Sequence, residues 1–146
     1  MLRRAHLRFL AIEIGALLLG VVAGCGSSTP AAPTSDFIAL DSIVPAVGTV
    51  LTAGERVTFT AVVTCTIVSS NGGFTGMVVQ DQGNRSLIPA GEQAPTSRLA
   101  KGTATVTLSQ AVTIPESGST VRVALPIFID ESNSTAAVVF RTYTVR

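Results

Sequence analysis

From about Phe37 to the C terminus, apolar and polar residues alternate with a period of two, which is the pattern of β-strands rather than of helices. The clearest run extends from Val57 to Ile67, where the intervening positions are mostly threonine. β-branched residues dominate this run, and they favour a strand. We predict that its apolar row faces the core, namely Val57, Phe59, Ala61, Val63, Cys65 and Ile67.

Similar runs follow, separated by turn residues such as those of 81–84 and 130–134. A second inward row is predicted at Val121, Val123, Leu125, Ile127 and Ile129. The other predicted strands are 37–44, 74–79, 103–108 and 136–145, with shorter candidates at 87–88 and 112–114. Seven or eight strands over roughly 110 residues are typical of an antiparallel β-sandwich. Pro126 interrupts one of these strands, so we expect it at an edge or a bulge.

The N-terminal segment has a different pattern. Residues 1–8 contain three arginines, and residues 9–22 are apolar apart from Glu13. A basic start, a short apolar stretch and small residues at its end are typical of a secretory signal. An uncut membrane anchor is the weaker alternative, because a spanning helix needs about 20 predominantly apolar residues. We therefore assign residues 1–24 to a signal peptide, expected to be helical.

At the end of this segment, Val22-Ala23-Gly24-Cys25 resembles the lipobox of bacterial lipoproteins. The resemblance implies cleavage before Cys25 and attachment of a diacylglycerol to its thiol, which would anchor the chain to a membrane. Each buried CH₂ group of such a lipid contributes about 0.8 kcal/mol, and two or more chains give stable attachment. Gly26 after the cysteine implies the outer membrane if the cell has two membranes.

Residues 26–35 contain two prolines among small polar residues, a composition that favours an extended, flexible chain. We assign residues 25–36 to the lipidated cysteine and a tether, and residues 37–146 to one folded domain. Within that domain, Pro45 to Phe59 resembles the entry to strand B of bacterial immunoglobulin-like domains, with a proline, a glycine-containing turn and an alternating strand. The resemblance implies an Ig-like or fibronectin-type β-sandwich, a fold that implies no particular function.

The two cysteines of the chain, Cys25 and Cys65, raise the alternative of a disulfide in an exported protein. However, Cys65 lies in the predicted inward row, where a free thiol behaves as a small hydrophobic group. The tether separates Cys25 from that core, and acylation would consume its thiol. We expect the two cysteines to have unrelated roles, one as the lipidation site and one in packing.

Composition excludes several kinds of chemistry. The single histidine, His6, lies in the signal segment, so the mature chain would have neither a Ser-His-Asp nor a Cys-His centre, nor an ordinary zinc site. Without the signal segment the chain has seven basic and eight acidic residues, so it lacks the excess of basic residues expected of a nucleic-acid-binding domain. We expect no cofactor, and the absence of tryptophan weakens a carbohydrate-binding hypothesis based on an aromatic platform.

Carboxylates remain the candidates for chemistry. Asp130 and Glu131 in a loop could join Asn133 and Asp81 around Ca²⁺, and carboxylates alone could support hydrolysis. Charged loop tips that keep sheet edges soluble are the simpler interpretation. Three hypotheses follow: a non-enzymatic lipid-anchored envelope protein with an unknown protein or envelope partner, an adhesion or assembly subunit that adds a strand at a sheet edge, and a carboxylate-only hydrolase.

Overall fold

The structure, a computed structural model, describes residues 33–116, 118–130 and 134–146. The described residues form no helix and six antiparallel strands: β1 (Phe37–Val44), β2 (Arg56–Gly76), β3 (Val78–Gln80), β4 (Thr96–Thr113), β5 (Thr120–Ile129) and β6 (Ser134–Thr144). The prediction of an all-β, antiparallel fold is confirmed. The predicted signal helix, Cys25 and most of the tether lie outside the described residues.

The described residues contain six strands rather than the seven or eight predicted, because several predicted runs belong to longer strands. β2 contains the Val57–Ile67 run and continues to Gly76, and β4 extends through the predicted short strand at Val112. Residues 87–88 form no strand. Beside them, a single bridge joins Ser86 to Gln80.

The length of β2 depends on hydrogen bonds that its residues donate to a distant carboxylate. The Asp36 carboxylate accepts the backbone N–H groups of Val68 at 2.7 Å and Ser69 at 3.0 Å, together with the Ser69 hydroxyl. These bonds satisfy two backbone N–H groups of β2 at the place where the register of β2 with β4 shifts, between Ile67 and Gly72. The polar stretch after Ile67 therefore remains part of the strand instead of forming a turn.

β2 changes its neighbours along its length. Its first part lies between β1 and β4, and its last part lies between β4 and β5. The close approach to β5 requires glycine at position 73, because a Cβ there would come within 2.0 Å of the Phe128 carbonyl oxygen. β2 therefore joins the β1–β4 part of the sheet to β5, which pairs with β6 along its whole length.

The two inward rows predicted from the sequence meet in one core, which confirms both predictions for the central positions of each row. From β2 it contains Phe59, Ala61, Val63, Cys65 and Ile67, and from β5 Val121, Val123, Leu125 and Ile127. The end residues Val57 and Ile129 are only partly buried. Cys65 is buried and free, as predicted.

Of the two positions expected for Pro126, the edge is wrong because the residue lies in an internal strand, whereas a bulge agrees with an irregularity beside it. β5 pairs with β6 on one side and with β2 and β3 on the other, and its register with β6 shifts just after the proline, between Ile127 and Phe128. On the β2–β3 side, the paired segments stop at Ile127 and resume at Ala124. Proline has no N–H to donate to the ladder, but its carbonyl oxygen accepts the Thr75 hydroxyl at 2.9 Å, so a side chain satisfies this acceptor where the ladder is interrupted.

Candidate functional site

The two described candidate carboxylates lie far apart. Asp81 follows β3, whose last residue pairs with Arg122 near the start of β5, whereas Asp130 follows the end of β5. Eight strand residues separate the two positions by on the order of 25 Å. They therefore do not form the close pair that glycoside hydrolysis requires.

The calcium hypothesis joined these carboxylates to Glu131 and Asn133, which lie outside the described residues. Within the described ranges there is no group of three or more histidine, cysteine, aspartate or glutamate residues able to hold a metal ion. Asp130 instead pairs with Arg98 through two parallel bonds of 2.8 and 2.9 Å. Both side chains are exposed, so this ion pair contributes little to stability.

Arg122 and the turn after β3 form a polar cluster held by several hydrogen bonds. The Arg122 Nη2 group donates to Gln80 Oε1 at 3.0 Å and to Asn84 Oδ1 at 2.5 Å. Its guanidinium carbon lies 5.2 Å from the centre of the Phe140 ring, within the range of a cation–π contact. The Arg122 side chain is therefore fixed from three sides.

The turn itself is held by Asp81. Its backbone oxygen accepts the Asn84 N–H at 3.1 Å, and its Oδ1 accepts the Arg85 N–H at 2.9 Å. Asn84 adopts a φ of 62°, a left-handed conformation that asparagine tolerates better than most residues. The turn places Asp81 and Asn84 over the first residues of β5.

A pocket of about 210 Å³ lies between this turn and the strands β5 and β6. It is lined only by polar or charged residues: Asp81, Gln82, Asn84, Thr120, Arg122 and Thr142. Of these, only Asp81 was a candidate for chemistry from the sequence. Arg122 was missed, although it is the only charged residue in the otherwise apolar β5 run and was therefore detectable as an exception to the pattern.

The side of β5 opposite the core presents a second candidate surface, which we call the Phe140 face and define by Phe74, Phe128, Val138 and Phe140. Phe74 and Phe128 are cross-strand partners with stacked rings, whose centroids are 4.9 Å apart. On β6, Val138 is 40% exposed and Phe140 is 45% exposed. Phe128 is only partly buried, and its ring packs against Phe74.

Among the described residues, β6 pairs along its length with β5 alone, and its opposite edge is open except at its C-terminal end, where Leu51 N donates to Thr144 O at 2.9 Å. Backbone direction alternates along a strand, so the N–H and C=O groups of Val138, Phe140 and Thr142 point towards the same open edge. Arg141 Nη1 donates to the Phe140 carbonyl oxygen at 2.7 Å and so occupies part of this edge.

Burial raises the pKa of the Cys65 thiol and of the Tyr143 hydroxyl. Both groups therefore stay protonated at neutral pH, which suits packing rather than nucleophilic chemistry. The hydrogen bonds from the Ser69 side chain, and then from the backbone of Ser69 and Val68, lower the pKa of the Asp36 carboxyl. None of these three groups lines the pocket beside Arg122.

In the described ranges, no helix is both long and apolar enough to cross a membrane.

Comparisons with known proteins give no family for this chain. No protein-family model matches it, and no curated protein matches it. One solved structure with a similar arrangement is described as "Crystal structure of putative beta-galactosidase from bacteroides fragilis", with 12% sequence identity and a TM-score of 0.47. The match covers 77% of this chain but only 16% of that protein, and no inference about activity follows from it.

Proposed function

We propose that this chain is a non-enzymatic, lipid-anchored protein of the bacterial cell envelope, attached through Cys25, whose folded part binds a partner through the Phe140 face. The observation that carries the binding role is the exposure of Val138 and Phe140 on a strand with an open edge. Contiguous exposed apolar side chains on a small domain mark interaction sites.

The anchoring half of the proposal is supported by the sequence. A basic start, an apolar stretch and Val22-Ala23-Gly24-Cys25 precede a proline-containing tether. Such a tether suits a domain that reaches a partner away from its membrane. The position of Cys65 in the core is consistent with this, since it leaves Cys25 as the cysteine available for acylation.

We also propose that the strands close into an Ig-like β-sandwich. The support is that the inward rows of β2 and β5 belong to one buried cluster, although these strands pair directly only through 73–75 and 127–129. Residues from β2 and β5 that are not ladder partners thus share one core, as facing layers of a sandwich do.

The composition of the Phe140 face supports a protein partner. Its centre is aromatic and aliphatic, while charged residues lie at its two ends, Arg122 beside Phe140 and Arg98 beside Phe74. Interface centres are typically depleted in charge and enriched in aromatic residues. The separation of Asp81 from Asp130 along β5 further favours a binding role over carboxylate hydrolysis.

Strand addition at the open edge of β6 is a second candidate, favoured by the backbone groups of Val138, Phe140 and Thr142 that point towards this edge. In strand addition, main-chain hydrogen bonds provide affinity and side-chain contacts provide specificity. The Arg141 side chain would have to release the Phe140 carbonyl before a strand could pair there.

A photo-reactive phenylalanine analogue placed at position 140 tests the binding role in intact cells. We expect it to cross-link to one partner, and the same analogue at position 138 to give the same adduct. The matched control is the analogue at Thr107, an exposed β4 position away from this face. Equal adducts from all three positions, or none from 138 and 140, would contradict the proposal.

Amide hydrogen exchange in the complex separates the two modes of binding. Strand addition should protect the N–H groups of Phe140 and Thr142, because they would become ladder donors. Contact through side chains of the Phe140 face should leave these two amides exchanging as in the free protein.

A further inference from the structure

The pocket between the 81–84 turn and the strands β5 and β6 is lined by polar and charged groups. Binding of a protein partner to the apolar centre of the Phe140 face does not require these groups. We propose that this pocket binds a polyhydroxylated ligand of the size of one sugar ring. The proposal goes beyond the proposed function, since a protein partner on the Phe140 face requires no small ligand.

Arg122 is already held in place without a ligand. Its bonds to Gln80 and Asn84 and its contact with Phe140 fix the guanidinium before any ligand arrives. A ligand therefore need not immobilise a long flexible side chain, which lowers the cost of binding. Arg122 Nε is buried and has no hydrogen-bond partner among the described residues, so the donors of the guanidinium are not all satisfied within the protein.

Opposite charges share the pocket without pairing. Arg122 and Asp81 both line it, yet the ion pair found among the described residues joins Arg98 to Asp130. Asp81 Oδ1 is used by the Arg85 N–H, which leaves Oδ2 outside that bond. A simple anion would face the Asp81 carboxylate, and a simple cation would face Arg122.

Hydroxyl groups resolve this conflict because each can donate and accept a hydrogen bond at once. One hydroxyl of a ligand can donate to Asp81 while a neighbouring one accepts from Arg122. The other lining groups, the Gln82 and Asn84 amides and the Thr120 and Thr142 hydroxyls, offer both donors and acceptors. A ring that carries several hydroxyls matches this lining better than a group of one charge.

The size of the pocket suits a small ligand. Its volume of about 210 Å³ is far more than a single water molecule needs. This is room for a single ring with its substituents, and recognition would rest on hydrogen bonds. The absence of tryptophan therefore counts against a stacking platform but not against this site.

Amide chemical shifts of the full-length chain, in a detergent without a sugar headgroup, test the proposal. The probes are D-glucose and N-acetyl-D-glucosamine at tens of millimolar, with acetate and phosphate as anionic probes. We expect saturable shifts of the Gln82, Asn84 and Thr142 amides with at least one of the sugars and none with the anions.

Three variants complete the test. Asp81→Asn keeps Oδ1 for the Arg85 N–H and should weaken sugar binding about tenfold, because a charged acceptor is lost. Thr142→Val, at an exposed position, should weaken it about fivefold. Thr107→Val on β4 is the control and should leave binding unchanged. The proposal would be overturned if neither sugar gave saturable shifts, or if the anions gave them instead. Unchanged sugar binding in both pocket variants would also overturn it.

Discussion

The Tyr143 hydroxyl donates a 2.8 Å hydrogen bond to the carbonyl oxygen of Pro45, 98 residues earlier in the chain. The Tyr143 ring is buried and lies 5.2 Å, between ring centroids, from Phe59 on β2. One side chain of β6 thus fixes the segment after β1 and packs against β2. The C-terminal strand that carries the Phe140 face is thereby bound to the start of the folded chain.

Removing this hydroxyl should weaken the fold measurably. Tyr143→Phe keeps the ring contact with Phe59 but leaves the Pro45 carbonyl without its partner, so we expect a loss of about 1–2 kcal/mol in the free energy of unfolding. Urea denaturation measures it, and exposed Thr107→Val is the control. Equal stabilities of Tyr143→Phe and the unchanged chain would show that the bond contributes nothing.

The close approach of β2 to β5 gives a steric prediction. In Gly73→Ala the new Cβ would lie 2.0 Å from the Phe128 carbonyl oxygen, so one of the two strands must move. We expect a loss of about 3 kcal/mol, as for strong overpacking. In the control, Gly83→Ala, the new Cβ would meet the Asp81 side chain at 3.3 Å, and that side chain can shift. A comparable loss in both variants would contradict the steric argument.

Asp36 should make stability depend on pH in the acid range. Hydrogen bonds from Ser69 and Val68 lower the pKa of its carboxyl, so the ionised form stabilises the folded state. This contribution is present above the pKa of the unfolded chain, roughly pH 4, and is lost as the pH falls through the lower value of the folded state.

The difference in unfolding free energy between the unchanged chain and Asp36→Asn measures this contribution. We expect the difference to be positive near neutral pH and to shrink at about pH 2 to 3. Thr107→Val should show the same difference from the unchanged chain at both pH values. A difference for Asp36→Asn that stays constant across this range would contradict the role of the charge.

The sequence predicted those features of the fold that depend on local alternation. The inward rows of β2 and β5 and the burial of Cys65 follow from side chains alternating across a strand. The continuity of β2 beyond Ile67 did not follow, because it depends on Asp36, more than 30 residues earlier, and on the space available at Gly73. Long-range hydrogen bonds to Asp36 maintain the strand through this polar stretch.

The residues of the candidate sites also could not be brought together from the sequence alone. Asp81 and Arg122 are 41 positions apart in sequence, and only the pairing of Gln80 with Arg122 brings them to one pocket. Similarly, the internal position of Pro126 depends on which strands pair with β5, and the period-two pattern contains no information about pairing. Strand pairing and register are what the alternating pattern could not supply.

The measurement that tests the lipid-anchored account most directly is the intact mass of the chain extracted from membranes, with fragmentation of its N terminus. The account predicts a chain that begins at Cys25, with a diacylglycerol on that thiol and an unmodified thiol at Cys65. The matched variants Cys25→Ala and Cys65→Ala should respectively lose and keep the lipid. A chain that retains residues before Cys25, or one with a Cys25–Cys65 disulfide, would contradict the account.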